Sequence, residues 1–64
     1  MYDTVELKQR FVIIKHSNLD DAVILDENYM QLIRETPNPE EQQQLLTLRS
    51  CVKERIRKLT DKED

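Results

Sequence analysis

Hydrophobic residues recur at steps of three and four along the last third of the chain. At about 100° per residue they fall on one narrow stripe of a helix, whose members are Leu45, Leu48, Val52, Ile56 and Leu59. The pattern predicts a helix from about Pro39 to Thr60. A stripe this narrow indicates contact with about one partner helix.

The middle segment, from about Leu19 to Glu35, has a wider apolar surface. Its apolar side chains cover about half of a helix circumference; they are Ala22, Val23, Leu25, Tyr29, Met30, Leu32 and Ile33. Ile24 falls on the opposite face. This helix is predicted to pack against more than one neighbour, and we expect Leu25, Tyr29, Leu32 and Ile33 to contact the stripe of the last helix.

Two prolines mark the junction between these helices. Thr36 precedes Pro37, which disfavours the α conformation and predicts a helix end. Asn38 can act as an N-cap, and Pro39 suits the first position of a helix, where no amide donor is needed. Two glutamates follow, at the positive end of the helix dipole. A connection this short predicts antiparallel neighbours.

The first segment is compatible with two structures. The residues from Asp3 to Glu6 fit a capping box, and Leu7, Phe11 and Ile14 would share one face of the helix that follows. The same segment alternates apolar and polar residues and contains the β-branched run Val12 to Ile14, as a strand would. A lone strand would need a second chain to pair with. We favour the helix.

The expected fold is all-α, a small antiparallel helical bundle in a single domain over residues 1–64. Its helices span about 4–16, 19–35 and 39–60. If residues 16–21 stay helical instead of turning, the chain is a long-helix hairpin that dimerises into a four-helix bundle, with Asn18 as a buried polar residue that fixes the register. We expect a homodimer under either arrangement, because a chain of 64 residues buries only about 60% of its surface and a single cysteine cannot form an internal disulfide.

Charge is unevenly distributed along the chain. Residues 18–41 carry seven carboxylates and one arginine, whereas the last helix is rich in lysine and arginine; the net charge of the whole chain is −3. A single cysteine and the absence of about 20 consecutive apolar residues favour the cytoplasm. The acidic stretch lacks the glycine turn of a calcium loop, and His16 and Cys51 are too isolated to suggest a zinc site or a nucleophile with its base. We therefore expect neither an enzyme nor a cofactor.

The remaining features suggest a regulator, adaptor or inhibitor that binds another protein. Apolar anchors and an acidic surface would meet a partner with a basic surface; the candidate residues are Phe11, Val12, Ile13, Ile14, Ile24, Asp20, Asp21 and Glu27. The alternative is a nucleic-acid-binding protein that uses the basic last helix, through Arg49, Lys53, Arg57 and Lys58.

Overall fold

The computed structural model describes residues 2–61, and 85% of that part of the chain is helical. Helix α1 spans Thr4–Lys15, α2 spans Leu19–Glu35 and α3 spans Pro39–Thr60. Residues 2–61 contain no strand, so the prediction of an all-α fold is confirmed and the strand alternative for the first segment is wrong.

The first helix begins with the predicted capping box. The Asp3 carboxylate accepts a hydrogen bond from the Glu6 amide at 2.9 Å, and the Glu6 carboxylate accepts one from the Asp3 amide at 3.2 Å. These reciprocal bonds satisfy amide groups that have no partner within the helix. Local chemistry therefore decides in favour of helix despite the β-branched run.

Helices α1 and α2 are separate, so the long-helix hairpin is wrong. Asn18 has an extended backbone, and its side chain accepts a hydrogen bond from the Asp21 amide at 2.8 Å. An N-cap of this kind competes with continuation of the preceding helix. Asn18 is exposed, which also excludes it as a buried polar residue that fixes register. The buried residue in the turn is Ser17, whose hydroxyl donates to the Ile14 carbonyl oxygen at 2.7 Å.

The junction between α2 and α3 follows the proline pattern. Thr36 is extended, and the Asn38 side chain accepts hydrogen bonds from the two following amides, at 2.8 Å from Glu40 and 3.2 Å from Glu41. Pro39 is the first helical residue. No residue within 2–61 has a positive φ angle, which explains how a chain without glycine can make both turns.

Polar contacts show that α2 and α3 run in opposite directions. The Gln42 side chain donates to the Ile33 carbonyl oxygen, and further along α3 the Arg49 guanidinium forms an ion pair with Asp26 at 3.0 Å. Near the end of α3, Arg55 donates from Nε to the Ser17 carbonyl oxygen at 2.9 Å. As residue numbers rise along α3, those of their partners fall, which is the order of an antiparallel pair.

The core lies where all three helices meet. Its buried members are Ile14, Ala22, Tyr29, Leu45, Leu48 and Val52, and the side chains packed around them are Tyr2, Leu7, Leu25, Ile33, Cys51 and Ile56. Most of the residues predicted to join α2 to the α3 stripe therefore lie in this core. Leu59, at the far end of the stripe, is half-buried and lies outside this cluster.

Leu32 is the clearest error in the predicted core. Its side chain is 39% exposed and lines an open depression of about 420 Å³ that also contains Arg10 and Glu35. Helix α1 packs mainly on α3 and only weakly on α2. The side of α2 that carries Leu32 is therefore left without a close neighbour.

Candidate functional site

The apolar run from Phe11 to Ile14 does not form one surface patch. Ile14 is buried in the core, so its assignment as a partner-binding anchor is wrong. Phe11 lines a groove between α1 and α3, whereas Val12 and Ile13 point away from the core and line a shallow surface with Lys8 and Gln9. Four consecutive helical residues cover most of a full turn, which is why the run is divided among different surroundings.

Residues from α1 and α2 meet in a second depression. It has a volume of about 380 Å³ and is lined by Ile13 on one helix and by Asp21, Ile24 and Leu25 on the other, with His16 and Ser17 at the turn. Ile13 is 58% exposed and Ile24 is 56% exposed. Two large aliphatic side chains from different helices are thus presented together at the surface.

Carboxylates surround Ile24 on its own helix. Asp20 and Asp21 lie four and three residues before it, and Glu27 lies three residues after it, spacings that place all three on neighbouring positions of the helix surface. All three are exposed. We call Ile13, Ile24, Asp20, Asp21 and Glu27 the acidic face. The structure therefore brings three of the eight predicted partner-binding residues, Ile13, Asp21 and Ile24, into one depression, and Asp20 and Glu27 flank Ile24 on the surface of α2.

A groove between α1 and α3 has the opposite charge. It has a volume of about 300 Å³; its apolar floor is made by Phe11, Ile14 and Cys51, and its charged residues are Lys15, Glu54, Arg55 and Lys58. Three cations thus meet one carboxylate, and that carboxylate accepts a hydrogen bond from Arg57 at 3.3 Å. We call this surface the cationic groove. Sequence reasoning missed it, although Cys51, Arg55 and Lys58 follow one another at steps of four and three.

Three of the four residues proposed for nucleic-acid binding, Arg49, Lys53 and Arg57, follow one another at steps of four and lie on neighbouring positions of α3, and Lys58 lies on another side. The Arg49 side chain is held in the ion pair with Asp26 on α2, whereas Lys58 lines the cationic groove on the side of α1. Nine residues separate them, which at about 100° per residue is half a turn of the helix. Lys53 and Arg57 are exposed. Arg49 and Arg57, at the two ends of this row, are already paired with Asp26 and Glu54.

Arg10 of α1 lies beside two tyrosines, and they change its pKa. Interaction with the Tyr29 side chain, with a smaller contribution from Tyr2, raises the pKa of Arg10 above its ordinary value despite partial burial. The guanidinium lies 4.2 Å from the centroid of the Tyr2 ring, a cation–π contact. Both aromatic rings belong to or pack against the core, so Arg10 has a structural role in holding α1.

Residues 2–61 show neither a metal-binding cluster nor a membrane-spanning helix. Within residues 2–61 no three side chains of His, Cys, Asp or Glu are grouped so that they could hold a metal ion. Of the helices in that range, none has both the length and the apolar character needed to cross a membrane. Comparison with protein-family models, with curated proteins and with solved structures found no match for this chain.

Proposed function

We propose that this chain is a cytoplasmic regulator or adaptor that binds a basic, partly apolar segment of another protein through the acidic face. The observation that carries the proposal is the joint exposure of Ile13 and Ile24 in one depression with Asp21. Aliphatic anchors supply the desolvated contacts of a protein interface, and the surrounding carboxylates select a cationic partner and speed its approach.

The geometry supports this assignment over binding to nucleic acid. A phosphate backbone is bound by cations that act together along one surface. In the row formed by Arg49, Lys53 and Arg57, both arginines are already bonded to carboxylates, and Lys58 lies on another side of α3. The acidic face carries the charge that a nucleic acid would repel. A basic segment of a protein fits both its charge and its apolar centre.

Capture with matched variants tests the proposal. The tagged chain is incubated with lysate of its own source cells, with and without nuclease, alongside I24S and the control L46S. Leu46 is an aliphatic residue on α3 with 46% exposure and lies outside both surfaces defined above. We expect one protein to be captured with or without nuclease, lost with I24S and retained with L46S.

Two results would contradict the proposal. Equal loss of capture with I24S and L46S would show that the acidic face has no special role. Loss of all capture after nuclease, together with a dependence on Lys53 and Lys58, would favour nucleic-acid binding through α3 instead, and affinity would then fall steeply with salt. Circular dichroism of each variant ensures that loss of binding is not loss of fold.

A further inference from the structure

Helix α1 exposes large apolar side chains on the side that faces away from the core. Leu7 and Ile14 pack in the core, yet Val5, Val12 and Ile13 on its other sides are each more than half exposed. Exposed apolar side chains grouped on one side of a helix are typical of an interaction surface. The outward side of α1 therefore has the character of an interface, and the surfaces next to it indicate what covers it.

The two charged surfaces lie on opposite sides of α1. Phe11 and Lys15 line the cationic groove towards α3, and Ile13 lines the acidic face towards α2. At about 100° per residue, Val12 lies between them, on the outward side of the helix. Each surface has an apolar centre, and their charges are of opposite sign.

We propose that a second copy of this chain covers α1, with the acidic face of each copy seated in the cationic groove of the other. A two-fold axis that runs parallel to α1 and passes beside Val12 makes both contacts at once, because it places the acidic side of each copy opposite the cationic side of the other. Ile24 of one copy then lies over Phe11 and Cys51 of the other, and Lys15 and Lys58 meet Asp20 and Glu27. This interface also covers the exposed valines of α1.

The proposal goes beyond the proposed function and adds a means of regulation to it. The same acidic face binds either a second copy or a basic partner, so self-association and partner binding compete. The capture experiment above is accordingly carried out at chain concentrations low enough for the dimer to dissociate. A chain that is monomeric at every concentration would overturn the dimer and leave partner binding intact, which makes the two failures distinguishable.

Reciprocal charge reversal tests this arrangement. One variant carries K15E and K58E, which makes the groove negative; the other carries D20K and E27K, which makes the acidic face positive. All four positions are exposed, and circular dichroism checks that each variant keeps its fold. In a dimer of either variant alone, both contacts place like charges together, and we expect self-association to weaken about tenfold or more.

Mixing the two variants should restore association, because both contacts of the heterodimer then pair opposite charges. Sedimentation equilibrium at tens of micromolar is expected to show a dimer for the original chain, monomers for each variant alone and a heterodimer for the equimolar mixture. A monomeric original chain, variants that still dimerise alone, or a mixture that stays monomeric would each overturn the proposal.

Cross-linking locates the contact independently. A chain carrying I24C and C51S is mixed with the original chain and treated with a short bismaleimide, and the products are mapped by peptide mass spectrometry. We expect a link from position 24 of one chain to Cys51 of the other, well above the yield from a control carrying L46C and C51S. Equal yields from the two would show that Ile24 does not lie over the groove.

Discussion

The α2–α3 pair and helix α1 are held in the fold by different means. The two long helices meet along a stripe in which Leu45, Leu48 and Val52 are almost completely buried, and the Asp26–Arg49 ion pair lies beside it. Helix α1 contributes one buried side chain, Ile14, to the same core. Burial along a stripe makes an element part of the cooperative core, whereas a single anchor leaves it easier to open.

Polar side chains compensate for the small buried surface of α1. The Gln44 side chain accepts a hydrogen bond from the Tyr2 amide and donates one to the Tyr2 carbonyl oxygen, both at 3.0 Å. At the other end, Arg55 donates to the Ser17 carbonyl oxygen. Helix α1 is thus fastened at both ends to α3 and is free on its outward side, where the proposed interface lies.

The largest effect should come from a charge in the α2–α3 stripe. Val52 has no exposed surface, and V52D would bury a carboxylate without a partner at a cost of several kcal/mol. A core of this size supplies roughly 3–5 kcal/mol, so we expect the whole chain to unfold. Circular dichroism recorded during thermal melting measures this loss of helical structure. L46D, on the exposed side of the same helix, should melt close to the original chain, and a cooperative, unshifted melt for V52D would refute the assignment of the core.

Truncating Ile14, the buried side chain of α1, tests whether α1 is less stable than the α2–α3 pair. I14A should cost about 2–5 kcal/mol, and we expect this loss to fall on the packing of α1, because the α2–α3 stripe keeps its own buried residues Leu45, Leu48 and Val52. Native-state hydrogen exchange should show α1 amides opening while those of α2 and α3 stay protected. V12A, two residues away on the outward side, should leave exchange nearly unchanged at concentrations where the chain is monomeric. Simultaneous opening of all three helices in I14A would mean that α1 belongs to the same cooperative unit.

A smaller effect is expected at the start of α3. N38A removes the acceptor of two backbone amides and should lower the free energy of unfolding by about 1 kcal/mol. The matched control is N28A, at an exposed position within α2, where alanine is the better helix former and should be neutral or slightly stabilising. Urea denaturation compares the two. An equal response would show that the side chain of Asn38 does not act as a cap.

The helix ends were predictable from the sequence because their causes are local. The Asp3 and Glu6 carboxylates accept hydrogen bonds from each other's amides, and the Asn38 side chain accepts from amides two and three residues further on, so neighbouring letters carry the whole signal. Ile24 could be identified as an exposed apolar residue for a similar reason, since it opposes the apolar surface of its own helix. Nothing beyond one helix is needed for either prediction.

Features that depend on how α1 lies against the other helices could not be predicted in this way. The sequence predicts an exposed Ile14 and a buried Leu32, and both predictions are wrong, because the sequence does not say which side of α1 faces the core or whether α1 packs on α2 or on α3. The cationic groove depends on the same choice, since Lys15 and Arg55 come from different helices. The bond between Gln44 and Tyr2 joins residues 42 positions apart, a distance at which no local pattern operates.

The smallest expected effects come from two glutamines of α3. One of them holds the start of α1 and the other holds the end of α2, so substituting each in turn compares how the two helices are attached to α3. Gln44 bonds to the backbone of Tyr2, and Gln42 donates to the carbonyl oxygens of Ile33 and Thr36 at the end of α2. Each substitution by alanine should cost about 0.5 kcal/mol, the low end for a neutral hydrogen bond, because both side chains are only half-buried; this is too little to separate them by melting. Hydrogen exchange at single amides can separate the two substitutions.

Q44A should speed exchange at the Leu7 amide, which bonds to the Asp3 carbonyl oxygen in the first turn of α1. It should leave exchange at the Thr36 amide, at the end of α2, unchanged. Q42A should do the reverse. If Q44A accelerated exchange equally at the Leu7 and Thr36 amides, α1 and the α2–α3 pair would open together. The conclusion that they are held in the fold by different means would then be wrong.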